Sequence, residues 1–330
     1  MSRDQSDSKS AFDTFALLPV LDWQEWDEAV RESEQSCIFL KASYLEASGL
    51  ANVARYITED GKILGGILIP ELFPELCTTS IRDYATYQSI WLKEKKQNNF
   101  RKFQNRINIL SKLATLLINS KGEMSLSLHW SIQDIRGLDW TFFKLPDRRI
   151  EFIPRYTGML QLKDFSNFEQ YIDSIASGRK FDFRWRKELS VTENVDAVSV
   201  DTFLEMYSET VPFLTYDSRI YALEQVRKII VDSIAAATGT LWLGQDETGK
   251  TVAGVFIQEF QGTLYYQFGA SLKNGLTYSP NAVILLKIIE KAFSDGARII
   301  DFVGINSPAR GGFKSSLNAT PQLYFQVHIK

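Results

Sequence analysis

Two cysteines and two histidines in 330 residues exclude much chemistry before any fold is considered. Cys37 and Cys77 have no metal-ligand spacing, and a chain able to bury a sizeable core needs no disulfide. Both read as reduced, buried thiols, and a catalytic thiol would have only His129 or His328 to activate it. No histidine-based metal site is expected, and so no metal. Neither a Ser-His-Asp set nor a G-x-S-x-G elbow is present. No run approaches the ~20 apolar residues of a membrane-spanning helix. The start, MSRDQSDSKSAFDT, is polar and reads as neither signal peptide nor anchor. A cytoplasmic protein without a membrane span is expected. A net charge of −3 gives no global pull toward nucleic acid, and DNA is not an expected partner.

The composition is that of a soluble globular protein, with 45% hydrophobic and 23% charged residues. The length suggests two domains. The clearest internal signal is a duplication. DGKILGGILIPEL at 60–72 and TGKTVAGVFIQEF at 248–260 align at a constant offset of 188, so that Gly61, Lys62, Gly66, Ile69 and Glu71 meet Gly249, Lys250, Gly254, Ile257 and Glu259. Each reads as a hairpin with a Gly-Lys turn. In the second copy the strand GTLYYQFGAS and the segment LKNGLTY follow. A helix then opens on Ser279 (N-cap) and Pro280 and closes before Gly296, with Ala282, Leu285, Leu286, Ile289 and Phe293 on one face. RIIDFVG is the next strand. The first copy repeats the order with YATYQSIWL, a helix over 99–119, Gly122 and MSLSLHW. The expected division is a disordered stretch at 1–13, a first domain at 14–162 and a second at 163–330, packed around a shared cleft.

This order of helices, antiparallel strands, helix and strand resembles the GNAT acyltransferase fold. Two copies, closed by RYTGML and by DFVGINS…GGFKSSL…PQLYFQV, resemble the tandem-GNAT group of FemAB-like proteins (Acetyltransf_6), relatives of the Fem-type peptidyltransferases. The fold class implied is α+β, each domain a mixed, mostly antiparallel sheet flanked by helices. In such a fold two neighbouring strands part at a bulge, and their opened backbone amides polarise the acyl carbonyl for attack by an amine. The activity implied is N-acyl transfer to an amine of a small or carrier-linked acceptor, with cell-envelope or polysaccharide building as the setting. Acyl-CoA is the donor the resemblance implies. An aminoacyl-tRNA-dependent peptidyltransferase is the alternative, with tRNA a partner that the acidic charge does not favour. A non-catalytic pair of GNAT domains that only binds a ligand is the third reading.

Candidate site residues follow from the strands and loops. Gly269 reads either as the bulge or as a plain strand end. Tyr265, Tyr266 and Gln267 alternate across the sheet, so one tyrosine should face the core and the other a substrate; Tyr87 and Gln88 are their counterparts in the first copy. The coenzyme A signature of single GNAT enzymes meets LKNGLT here: Gly275 fits, while Leu272 and Thr277 depart from it. The helix start at Ser279 would still offer amides to an anion. Two basic stretches, KEKKQNNFRKFQNR and GRKFDFRWRKE, read as solvated faces or as phosphate contacts, the second through Arg184 and Arg186. A glycine-rich loop between the last two strands is expected to hang over the cleft. Asn306 and Arg310 lie in it, Phe313 packs it down, and Lys314 points to a bound anion. Asp301 reads as a base or a structural partner. The Phe-Lys pair resembles the family's closing motif, whose basic residue stabilises the donor or leaving group.

Overall fold

The computed structural model describes residues 15–72, 86–87, 89–93, 98–120, 122–143, 149–194, 196–209, 216–272 and 277–330. In chain order the first half runs β1 (Phe15–Pro19), α1 (Trp23–Glu32), α2 (Ala42–Ala47), β2 (Ala54–Glu59), β3 (Lys62–Leu68), β4 (Ile90–Leu92), α3 (Asn99–Ile118), β5 (Met124–Ser127), α4 (Arg136–Phe142) and β6 (Ile150–Gln161). The second runs α5 (Phe168–Ser174), α6 (Ser177–Arg184), β7 (Ser190–Asn194), α7 (Ala197–Ser208), α8 (Tyr216–Ala235), β8 (Gly239–Gln245), β9 (Thr251–Phe260), β10 (Thr263–Ser271), α9 (Pro280–Asp295), β11 (Ile299–Gly304), α10 (Pro308–Ser316) and β12 (Thr320–Ile329).

Both Gly-Lys motifs are hairpin turns. Asp60 and Gly61 take φ of 49° and 74° between antiparallel β2 and β3, the left-handed pair that a tight hairpin demands. Gly249, at φ 80°, turns β8 into antiparallel β9. The duplication extends through the later elements: β4 corresponds to β10, α3 to α9, β5 to β11 and β6 to β12. Helix α9 has Ser279 as N-cap, Pro280 in its first turn and Gly296 at φ 77° as its C-cap. Its Val283, Leu286 and Ile289 are buried against Val252, Val255 and Ile300 of the sheet. Helix α3 buries Leu110, Leu113 and Leu117 against Ile57, Ile67 and Ile90 of its own sheet. Each such fully buried side chain contributes about 1.5–3 kcal/mol. The fold is α+β, two GNAT-type units in tandem.

The sheets are not divided as the halves of the sequence are. One sheet has four strands in the order β1-β2-β3-β4; the other has eight, in the order β5-β12-β6-β11-β10-β9-β8-β7. The last strand of each copy has crossed to the other. β6 pairs antiparallel with β11, β12 pairs antiparallel with β5, and β6 and β12 pair with each other over ten residues, from Met159↔Thr320 to Ile150↔Ile329. Between the halves lies a core to which both contribute, including Trp26, Phe39, Tyr44 and Trp91 from the first and Phe203, Phe256, Tyr265 and Tyr324 from the second. Phe39 meets Tyr44, Tyr87 and Tyr265 edge-on at 5.4–5.7 Å between centroids, a favoured geometry for rings.

Candidate functional site

β10 and β11 start as parallel neighbours, Thr263↔Ile299 to Tyr265↔Asp301, and then part. Each wall of the gap is bulged. In β10, Gln267 is the extra residue, since Tyr266 pairs with Ile257 of β9 and Phe268 with Phe256. In β11 the register with β6 shifts between Asp301 and Gly304. Val303 stands there at φ 59°, a left-handed backbone that a β-branched residue rarely adopts. Asp301 holds that turn: its Oδ1 accepts the Val303 amide at 2.8 Å and the Thr157 hydroxyl at 2.6 Å. Its Oδ2 has no hydrogen-bond partner among the described residues. Complete burial pushes the Asp301 carboxyl up to about 7, against the lowering effects of the Val303 amide and the Lys314 charge.

The gap opens into a cavity of about 580 Å³. Tyr266, Gln267 and Gly269 line it from β10, Gly304 from β11 and Ser279 from the α9 start, while Arg310, Phe313 and Lys314 enter from α10. Tyr324 and Gln326 of β12, Thr86 of the first half and Tyr207 of α7 add to the wall. Among the described residues no carboxylate lines it, so Arg310 and Lys314 make it cationic.

The expected glycine-rich loop is a helix, and this corrects the sequence reading. Ser307 and Pro308 open α10 as Ser279 and Pro280 open α9. The spacing of 310, 313 and 314 then sets those three side chains on one helical face. Gly311 and Gly312, poor helix formers, masked that signal. Gly311 is needed for closeness, since a Cβ there would sit 2.6 Å from the Ile305 carbonyl oxygen. Nor does Lys314 lie on the surface. It is buried, donates from Nζ to the Gly304 carbonyl at 2.9 Å and stands 5.4 Å from the Tyr266 ring centroid. Desolvation lowers it to about 8, although the Asp301 charge opposes this.

The structure thus brings Lys314, Tyr266, Gln267, Gly269, Ser279 and Arg310 to one cavity, with Asp301 directly behind it. Gly269 lies just after the bulge; a Cβ there would fall 2.0 Å from the Tyr266 hydroxyl. Burial raises that hydroxyl's pKa and keeps it protonated. Tyr265 faces the core that joins the halves, and Gln267 Nε2 donates to the Tyr44 hydroxyl at 2.8 Å. Tyr87 is buried beside Phe39, His129 and Tyr324. Asn306 brackets Tyr156, accepting its amide at 2.7 Å and donating to its carbonyl at 3.0 Å, as a strand neighbour would. Arg184 is exposed at the end of α6, and Arg186 lies over the Phe183 ring at 4.0 Å and donates to the Phe183 carbonyl. Cys77, Gln88, Gly275 and the stretch 1–13 lie outside the described residues. Cys37 is fully buried and its thiol is pushed up to about 12, while burial drives His129 down to about 3. Among the described residues no group able to hold a metal ion occurs, and no helix is long and apolar enough to cross a membrane.

Sequence reasoning missed Val303, Tyr324, Gln326 and the pair Arg179–Asp182. Period-two alternation in QLYFQV could have put Tyr324 and Gln326 on one face. Nothing in the sequence marks Val303, because valine is a poor choice for its backbone. Asp182 bears on the donor. Its Oδ1 accepts the Ser279 amide at the α9 start at 2.8 Å, and Arg179 pairs with its Oδ2 at 2.8 Å. The Ser279 amide, which the resemblance offers to a coenzyme A diphosphate, is thus already bound to a buried carboxylate, while residues 273–276 of the preceding loop lie outside the described residues.

Residues 179–315 match the family model of the Acetyltransferase (GNAT) domain. No curated protein matches the chain in sequence. Among solved structures, FemX is similar at TM-score 0.62 and 13% identity, over 93% of this chain and 96% of that one. A tandem GNAT protein from the clavulanic acid biosynthesis pathway gives 0.51 at 10%, over 96% and 98%. L-PGS from Bacillus licheniformis gives 0.54 at 8%, over 93% and 91%.

Proposed function

We propose that this chain, a FemAB-like tandem-GNAT acyltransferase, joins an acyl or aminoacyl group to an amine in the cavity between β10 and β11. The observation that carries the reading is the parting of these strands beyond Tyr265 and Asp301, into a cavity that Lys314 lines. On the cavity side β10 has no strand partner past that point among the described residues, so a carbonyl bound in the gap would lie along this strand's backbone, where amides can polarise it. The amine nitrogen attacks the acyl carbon, one amide bond forms and the donor's C–O or C–S bond breaks. The amine gives up one proton and the leaving group takes one up. Tyr266, kept protonated by burial, supplies the leaving group's proton and is reprotonated by the one that the amine gives up. Lys314, held cationic by Asp301, neutralises the charge that grows on the departing atom. Gln267, Ser279 and Arg310 hold the substrates in the cleft. The acceptor is a small or carrier-linked amine. In keeping with that, no carboxylate among the described lining residues would trap a free ammonium.

The carboxylate of Asp182 at the α9 start favours a donor carried by something other than coenzyme A, and an aminoacyl ester of tRNA is the second reading on that ground. Purified protein would be incubated with acetyl-CoA or with charged tRNA and a panel of amines, with mass spectrometry used to find new amides. The reading expects an amide that forms with wild type and not with a folded Lys314→Met variant. Product formation equal in both would remove Lys314 from the reaction. Absence of any product, with ligand binding intact, would favour a non-catalytic pair of domains.

A further inference from the structure

Charge is unevenly shared along the chain. Residues 93–149 hold twelve lysines and arginines against five acids, in a protein whose net charge is −3. Helix α3 has no acidic residue at all and carries Arg101, Lys102, Arg106 and Lys112. Arg106 and Lys102 pair with Glu34, and Lys112 pairs with Glu59. Arg101 and Arg149 are exposed, and so is Arg136, which pairs with Asp134 at 2.6 Å while keeping half of its side chain in water.

Large aromatic side chains stand in water in the same region. Phe100 is 71% exposed and Phe103 44%, one turn apart on α3. On α4, Trp140 is 52% exposed, and Phe143 just past its end is 88% exposed. The two helices lie against each other. A Cβ on Gly137 of α4 would sit 2.5 Å from the Ile107 carbonyl of α3, and Ser111 donates to the Gly137 carbonyl at 3.0 Å. Arg136 covers one side of Trp140, 5.3 Å from the ring centroid. Each helix therefore turns its apolar residues, Leu110 and Leu113 or Leu138 and Phe142, into the core and still shows two rings outside. Exposed rings at this density, set among cations, mark a contact surface.

We propose that the α3–α4 face docks on the surface of an anionic lipid bilayer, with Phe100, Phe103, Trp140 and Phe143 entering the headgroup layer and the surrounding arginines meeting lipid phosphates. Aromatic rings combined with basic residues on helices lying along a surface are what interfacial binding needs. A second copy of the chain is a poor occupant, because two such cationic faces would repel. Nucleic acid is also a poor one. Its phosphates would meet the arginines, but rings on convex helical faces offer no continuous platform for stacking bases. The inference is independent of the reading of the cavity.

Flotation with vesicles tests it. Wild type should float with vesicles of two parts phosphatidylcholine to one of phosphatidylglycerol and stay behind with phosphatidylcholine alone, and added salt should release it. The combined variant Phe100→Ser, Trp140→Ser, Phe143→Ser should lose binding by about tenfold or more while keeping its circular dichroism and melting temperature, since the rings are outside the core. Arg101→Ala with Arg136→Ala should weaken binding to the anionic vesicles in the same direction. Failure of wild type to float at low salt would overturn the proposal. So would a dimer in solution that the triple variant dissolves, or binding to polyuridylate that the triple variant abolishes in the absence of any vesicle binding.

Discussion

The substitution Asp301→Asn tests whether the buried carboxylate is tuned by its surroundings. Asp301 is fully buried and its pKa is raised from the ordinary carboxylate value to about 7. The sign follows from linkage: a folded state that holds the proton more tightly has its extra stability in full below the unfolded pKa and loses it as pH rises through the folded one. A rise from about 4 to about 7, at about 1.4 kcal/mol per pH unit, gives a loss on the order of 4 kcal/mol across that window. The amide of the variant keeps an oxygen to accept from Thr157 and Val303 and has no proton to release, so its stability should not carry that slope. Removal of the negative charge also withdraws support from the Lys314 ammonium, already lowered to about 8. Turnover should therefore fall, and its alkaline limb should move to lower pH. Urea unfolding of both proteins at several pH values between about 4.5 and 7.5 reads the first effect, and a pH–rate profile the second. Wild type and variant losing stability in parallel over that window would refute the reasoning.

Gly269→Ala should cut turnover at least about tenfold, by forcing Tyr266 from its place, with little change in melting temperature. Lys314→Met should lower turnover by roughly a hundredfold, the scale of one lost electrostatic contact, yet leave stability equal or raised, since a buried ammonium is costly; a large drop in melting temperature would make the lysine structural. Gly66→Ala should destabilise by about 1–3 kcal/mol, because its Cβ would meet Trp91 at 2.2 Å and Trp26 at 2.5 Å. Calorimetric titration of acetyl-CoA should show no binding to wild type and a measurable heat with Asp182→Asn; tight binding to wild type would return coenzyme A to the α9 terminus.

Regular features were legible because local chemistry decides them. Asp60-Gly61 and Gly249 can only be tight turns, and Ser279, Pro280 and Gly296 bracket a helix whatever surrounds them. The constant offset between the hairpins then gave the duplication, and with it the order of elements. Features set by long-range competition were harder to read. Arg310, Phe313 and Lys314 share a face only because Gly311 and Gly312 are tolerated in a helix pressed against Ile305. Burial of Lys314 cannot be read from a string in which lysine usually means surface. Val303 runs against its own backbone preference, in a turn whose amide is held by the carboxylate two residues earlier. The crossing of β6 and β12 leaves no trace in period or composition, since either strand would look the same with its own copy.

That crossing binds the fates of the two halves. A gene fragment ending after β6 would encode a strand deprived of both neighbours, β11 and β12, with an open edge on each side to seek any other chain. Each half therefore depends on a strand of the other to complete its sheet, unlike domains joined by a linker. The same exchange brings Thr157 of β6 to Asp301, so a substitution in the first copy reaches the candidate site of the second. An inactive first copy would therefore be retained as a builder of that site, not discarded as a relic.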